Sequence, residues 1–240
     1  MIQEQPKRPW NVFEEKLGTW AKYFKPFWEK GGFDPIYDKL QQFSKEKKII
    51  CPGSKDTFRV FKEVDCSNLK VIWYLQDPYP TMINDVKVAT GVALDCSNTK
   101  KIQASLEKFY EAAEKECYNG LNLSAVKGDS LQYLLEQGVM MINSELTVEY
   151  KKPGSHKGLW EEFHKFFIEE VINKYDSPKT YFYCDPPYYK TENYYANHDF
   201  GITSHERLAK TLKSIKGKFS LSYYHFDELD VWFPKTTYNW

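Results

Sequence analysis

Lys70-Val-Ile-Trp-Tyr-Leu-Gln-Asp-Pro-Tyr-Pro80 is the stretch on which the reading of this chain turns. Val71 to Leu75 is a short, nearly continuous apolar run. Such a run suits a parallel strand covered on both faces. It empties into a carboxylate, Asp77, that prolines hold stiffly. Three further runs follow the same pattern: Val139-Met-Met-Ile-Asn143, Thr180-Tyr-Phe-Tyr-Cys-Asp185 and Phe219-Ser-Leu-Ser-Tyr223. Helical spacing fills the intervals. Phe13, Leu17, Trp20, Phe24 and Phe27 share one face, as do Ile102, Leu106, Phe109, Ala113 and Cys117. A short helical piece follows Pro52-Gly53, and a long helix runs from Trp160 through Phe163, Phe167 and Val171. Asp129 with Gln132, and Thr203 with Glu206, have capping-box spacing, with Gly138 and Gly217 as the corresponding stops. Strands alternating with helices predict an α/β fold, a three-layer sandwich around a mainly parallel four-stranded central sheet. The one seam is Tyr175-Asp-Ser-Pro178, dividing segments 1–175 and 178–240.

With 42% hydrophobic residues in 240, the chain can bury a core, which excludes a disordered or fibrous protein. Thirty-three basic residues balance thirty-three acidic ones, so no global field draws it to polyanions. Any nucleic-acid contact must come from a local patch. Aromatics make up 17%, and packing is the expected role for most of them. Cys51, Cys66, Cys96, Cys117 and Cys184 form no C-x-x-C pair and have no zinc spacing, so they are expected to be reduced and structural, with no metal bound. The opening Met-Ile-Gln-Glu-Gln-Pro-Lys-Arg has no apolar run behind its charges, and no stretch approaches the ~20 apolar residues of a membrane span. A cytoplasmic protein without a membrane partner is expected.

In open α/β sheets, ligands bind beyond the carboxyl ends of the strands. Here those ends carry Asp77, Asn143 and Asp185. A lone Asp-Pro usually caps a turn. Asp185-Pro-Pro-Tyr-Tyr189 is more unusual, because two prolines and two tyrosines make a poor generic turn.

From about Ile50 to Ile172 the sequence resembles the uracil-DNA glycosylase family. The matching stretches are Val71–Pro80, Gly91-Val-Ala-Leu94, Gly128-Asp129 with Glu136-Gln-Gly-Val139, Asn143 with Leu146-Thr-Val148, and Ser155-His156 with Trp160-Glu161 and Phe163. The resemblance implies a hydrolase that flips uracil out of DNA, single- or double-stranded, and needs no cofactor. It assigns water activation to Asp77, reading of the uracil edge to Asn143, exclusion of thymine to Tyr79 and a main-chain contact to Gln76. Leu94 stands where an aromatic ring stacks on the base, and Pro80 where the family has His. Ser97-Asn-Thr-Lys-Lys101 replaces a proline-rich loop, and the late His-Pro-Ser-Pro-Leu-Ser loop, source of a catalytic His and of the DNA wedge, is missing. Three other residues have plain structural readings: His156 as a structural histidine, Trp160 as core, Lys151-Lys152 as a solvated loop.

From Tyr181 to Trp240 the chain resembles the second half of adenine-specific DNA methyltransferases, in Tyr183-Cys-Asp-Pro-Pro-Tyr-Tyr189, Glu192-Asn-Tyr-Tyr195, His205-Glu-Arg-Leu-Ala209 and Gly217-Lys-Phe-Ser-Leu-Ser222. That resemblance implies a base-holding motif at Asp185, Pro186, Pro187 and Tyr188. The family's glycine-rich seat for the methyl donor has no counterpart, since no G-x-G occurs. The segment is expected to complete the same sheet, because unpaired apolar strands favour aggregation. Leu221-Ser-Tyr-Tyr-His225 sets His225 at the step from Leu221 at which the glycosylases carry their His, which makes it a candidate for stabilising the uracil oxygen. The principal expectation is a monomeric uracil-DNA glycosylase with a weakened site. The alternatives are a methyltransferase-related protein using S-adenosylmethionine, and a non-catalytic DNA-binding fusion. The mosaic suggests a phage or another mobile genome.

Overall fold

The apolar stripe near the start of the chain folds as two helices instead of one. Helix α1 (Asn11–Leu17) stops at Gly18, whose φ of +54° suits glycine, and a tight turn, Gly18–Trp20, leads into α2 (Ala21–Glu29). The stripe survives the break: Phe13, Leu17, Trp20, Phe24 and Phe27 are all buried. Phe24 stacks on Phe163 at 4.9 Å between centroids, and Phe33, Phe58, Phe61 and Phe167 close around them. Such ring pairs add about 0.5–1.5 kcal/mol each beyond area burial. Trp20 Nε1 donates to the Val64 carbonyl at 2.7 Å, so the indole is buried without an orphaned donor. Trp160 belongs to the same core.

The computed structural model describes residues 6–117, 120, 127–184, 186, 188–189 and 201–240. The chain divides into two units, Met1–Glu170 and Val171–Trp240. After α2, the first continues through α3 (Asp34–Lys45), β1 (Ile50–Cys51), α4 (Arg59–Glu63), β2 (Val71–Leu75), β3 (Met82–Ile83), β4 (Val86–Lys87), α5 (Ala104–Glu116), α6 (Gln132–Glu136), β5 (Val139–Asn143), β6 (Val148–Glu149) and α7 (Glu161–Phe166). Its central feature is the parallel pairing of β2 with β5, in register from Val71 against Val139 to Leu75 against Asn143. Beyond α7 the helix loosens into a π turn, Phe167–Val171, and a 3-10 turn, Ile172–Tyr175.

The second unit holds β7 (Tyr181–Cys184), α8 (Ile202–Ser214), β8 (Lys218–Leu221) and α9 (Asp227–Trp232). Strands β7 and β8 are parallel, and Ala209, Leu212, Leu229 and Phe233 form the core. Both units are therefore α/β in class.

Several expectations need correction. The described strands are hydrogen-bonded in pairs, β2–β5 and β7–β8 parallel and two short pairs antiparallel. Strand β2 is not covered on both faces, since Val71 and Trp73 are 49% and 41% exposed. Neither capping box forms. Helix α6 starts at Leu131, whose N–H is taken by the buried Asp95 carboxylate at 2.8 Å, and α8 starts at Gly201 without a side-chain cap. Gly217 does not end a helix at positive φ. It lets the chain pass Thr180, where an added Cβ would lie 2.5 Å from the carbonyl oxygen. The Tyr175–Pro178 seam is tied down by hydrogen bonds. Asp176 accepts from the N–H groups of Lys216 and Gly217, and Thr180 Oγ1 donates to the Tyr175 carbonyl. The boundary between units falls slightly earlier, at Glu170.

Gly138 does stop α6. Its φ is +85°, and its carbonyl accepts from Lys70 and Val71 at the head of β2. A Cβ there would lie 2.0 Å from the Asn68 carbonyl oxygen. Gly154, at φ +72°, has no atom within 4 Å of such a Cβ. Gly154→Ala should therefore lose only the left-handed penalty, about 1–2 kcal/mol, while Gly138→Ala loses more because backbone must shift. Urea unfolding of the two variants tests this, and equal losses would contradict it.

Candidate active site

Parallel pairing carries the exits of β2 and β5 to one edge. Leu75 stands opposite Asn143, so the run from Gln76 to Pro80 leaves the sheet level with the last residue of β5. The crevice beyond the strand ends, the usual ligand site in such sheets, is a cleft of about 300 Å³. That is at the lower end for small-molecule sites, about 300–1,000 Å³. Gln76, Asp77, Tyr79, Leu94 and Asn143 all line it, together with Ser105 and Pro153.

The side chains of Asp77 and Tyr79 have identifiable partners. Asp77 is half-buried, and its Oδ2 accepts from the Gly154 N–H at 2.6 Å. The Tyr79 ring packs against Cys51, Ala89 and Val148, brought together by the β1–β6 pairing. Its hydroxyl bonds Ser105 Oγ at 2.8 Å and donates to the Leu94 carbonyl at 3.3 Å. Burial pushes the phenol above its ordinary pKa. Leu94 sits at φ +64°, next to an Ala93 N–H that donates to the Met141 carbonyl. Asn143 is 8% exposed. The Gln76 carbonyl accepts from Ser144 Oγ at 2.9 Å and from the Glu145 N–H at 3.2 Å.

The loop that supplies Gly154 is tied down from three directions. The Glu149 N–H donates to Ser155 Oγ, and the Gly158 N–H to Glu145 Oε1 at 2.7 Å. Thr147 Oγ1 accepts from Trp160 Nε1 and bonds His156 Nδ1, both at 2.8 Å. His156 is 3% exposed, stacks on Phe43 at 4.7 Å and is not among the residues lining the cleft. Lys151 and Lys152 are exposed, with Lys152 paired to Glu149. Sequence reading passed over Glu145. Its one signal was an acidic residue lodged between the buried Ile142 and Leu146.

In the second unit, His225 Nε2 bonds Asp230 Oδ2 at 2.9 Å, and the ring lies against Trp240. Tyr188 bonds Ser222 Oγ at 2.9 Å and meets the Tyr224 ring edge-on. Pro186 is described, whereas Asp185 and Pro187, and with them the acidic end of that motif, lie outside the described residues. Among the described residues no group of three or more His, Cys, Asp or Glu could hold a metal ion, and no helix is long and apolar enough to cross a membrane.

A carboxylate and a buried amide converging on a cleft at parallel strand ends define an α/β protein with a site suited to a small polar ring. A protein of Francisella tularensis subsp. tularensis described as uracil-DNA glycosylase is 32% identical over 165 residues, covering 67% of this chain and 69% of the relative. One from Azobacteroides pseudotrichonymphae is 29% identical over 160 residues, covering 65% and 67%. The chain belongs to the uracil-DNA glycosylase family. Among solved structures, mimivirus uracil-DNA glycosylase matches at TM-score 0.67 and 21% identity, covering 92% of this chain and 76% of that one. The UNG structure from Nitratifractor salsuginis matches at TM-score 0.53 and 15% identity, covering 93% and 92%. The family model of D12 class N6 adenine-specific DNA methyltransferases matches residues 155–240.

Burial pushes His156 and His164 down to about 4 from the ordinary 6.5. The unfolded chain therefore takes up protons below about pH 6.5 that the folded chain refuses until about pH 4. The stability these residues contribute is full above about pH 6.5 and is lost as the pH falls through that window. His156→Gln, which removes one titration, should lose less stability than the wild type between pH 7 and pH 4.5. Urea midpoints at the two pH values check this, and an equal loss would refute it.

Proposed function

We propose that this chain releases uracil from DNA by hydrolysing the N-glycosidic bond of a flipped nucleotide. One observation carries the reading: Asp77 and Asn143 line a single cleft, from strand exits held side by side by the β2–β5 register. Membership of the glycosylase family supports it.

The bond from C1′ to the base nitrogen N1 breaks with its electron pair leaving on uracil, and C1′ becomes cationic. The Asp77 carboxylate stabilises that cation and holds the water whose oxygen bonds to C1′. Water thus supplies hydroxyl to the sugar and a proton to the base. The Asn143 amide offers a donor and an acceptor side by side, matching uracil's O4 and N3–H. Tyr79, fixed by packing and by Ser105, fills the space a thymine methyl needs. Gln76 enters as a main-chain contact to the base. Leu94 presents no ring for stacking, so the grip on uracil is weaker than an aromatic would give. His225, its Nε2 bonded to Asp230, is carried in the proposal as the candidate for stabilising the uracil oxygen. These side chains suffice for the chemistry without a cofactor, and the chain is proposed to work as a monomer on single- or double-stranded DNA.

We read the chain as carrying the glycosylase fold over both units, a three-layer sandwich with a mainly parallel sheet. The support is that the likeness to the mimivirus protein covers 92% of the chain, whereas the first unit holds only 170 of its 240 residues. Methyl transfer to adenine is a second reading, favoured by the match over residues 155–240. The described residues do not fit the donor it would need, because none of the four parallel strands opens into a glycine-rich turn.

The test is uracil release from a single-stranded uracil-containing oligonucleotide. Asp77→Asn should lower the rate by about 10²–10³-fold with the fold intact by circular dichroism, and retained release would reject Asp77. His225→Ala should lower it as well, and an unchanged rate would remove His225 from the mechanism. Heat on titration with S-adenosylmethionine would favour the second reading.

A further inference from the structure

Asp77 is not the only carboxylate that reaches into the loop from Lys152 to Trp160. Glu145 lies two residues past Asn143, half-buried, with Oε1 accepting from the Gly158 N–H at 2.7 Å. Its Oε2 is buried without a hydrogen-bond partner. Its own N–H donates to the Gln76 carbonyl, one residue before Asp77. Two acidic groups from neighbouring strand exits thus hold one loop, Asp77 at Gly154 and Glu145 at Gly158, four residues apart.

Resting on the uracil-releasing reading above, we infer that Glu145 is a positioning residue for Asp77, anchoring through Gly158 the loop whose Gly154 N–H orients the Asp77 carboxylate. A carboxylate with one oxygen held by a backbone donor keeps the other aimed into the cleft. Movement of the donor by about 1 Å is enough to lower a rate about 100-fold. The charge on Glu145 also bears on Asp77. The charged groups acting on Glu145 are Asp77, from the exit of β2, and Glu161, from the start of α7, and both are acidic. Burial, with those two charges, pushes Glu145 up to about 7, against the Gly158 and Trp160 N–H groups that lower it. Neutral Glu145 leaves Asp77 as the sole anion of the pair, the separation of roles that two neighbouring carboxyls adopt when their surroundings differ. Above about pH 7 a second negative charge faces Asp77 and the buried Oε2 is left charged without a donor, so repulsion displaces the Asp77 carboxylate even though the bond from the Gly158 N–H holds.

The experiment measures kcat and KM for uracil release between pH 5.5 and 9 with the full-length wild type, Glu145→Ala, Glu145→Gln and Asp77→Asn, each checked for folding by circular dichroism. Glu145→Ala should lower kcat about 10- to 100-fold with little change in KM. Glu145→Gln, a permanently neutral isostere, should recover most of that loss and abolish the fall in wild-type kcat across about pH 7. Amide exchange at Gly154 and Gly158, which needs no turnover, should accelerate in Glu145→Ala. Wild-type kcat in Glu145→Ala, a change confined to KM, the same pH inflection in Glu145→Gln, or unaltered exchange at Gly154 would each overturn the inference. Failure of the underlying reading looks different. Release would then survive in Asp77→Asn or be missing from the wild type, and the exchange measurement would still decide on the anchor.

Discussion

Everything at the candidate site depends on the parallel register of β2 against β5. Five residue pairs, from Val71–Val139 to Leu75–Asn143, set two strand exits level with each other. A slip of one residue would turn every side chain of a strand to the opposite face, and Asn143 would no longer line the cleft beside Asp77. What guards the register is local. Gly138, at a φ no other residue type adopts cheaply, turns the chain out of α6 and presents its carbonyl to the first residues of β2. Buried Met140, Met141 and Ile142 then bind β5 to the core.

The second constraint is electrostatic. Carboxylates near a cleft repel one another and lose hydration, so each needs donors. Here the donors are backbone N–H groups of one loop, at Gly154 for Asp77 and at Gly158 for Glu145, while Thr147 ties His156 and Trp160 beneath them. The loop carries no catalytic side chain, yet it links the charge of one group to the position of the other. Family resemblance alone would not draw attention to Glu145, which lies between the Asn143 and Leu146 positions on which that resemblance rests.

Legibility was uneven, for physical reasons. The four parallel strands and the helices α5 and α8 could be read because burial imposes a period on the sequence, as in the Val139–Asn143 run, whereas α3 and the two-residue strands were not read. The exit motifs could be read because proline and carboxylate at a strand end have few structural uses. Capping boxes failed because other donors and acceptors were nearer. Ser130 Oγ took the Gln132 N–H that Asp129 was expected to serve, and Asp95, 36 residues away from Leu131, took the Leu131 N–H. The expected covering of β2 failed at Val71 and Trp73, since an apolar residue records only a preference for burial and not whether a neighbour exists to provide it.

By itself the sequence determined the class of fold, the four parallel strands, and that Asp77 and Asn143 stand at strand ends, because these follow from local periodicity and from the chemistry of neighbours along the chain. Tertiary structure alone decided that Asp77 leans on Gly154, that burial pushes Glu145 up to about 7, and that His156 serves Thr147 instead of the cleft. The reason is one of distance. Those hydrogen bonds and desolvations join residues from 9 to 77 positions apart, and only the folded chain places such groups within 3 Å of each other.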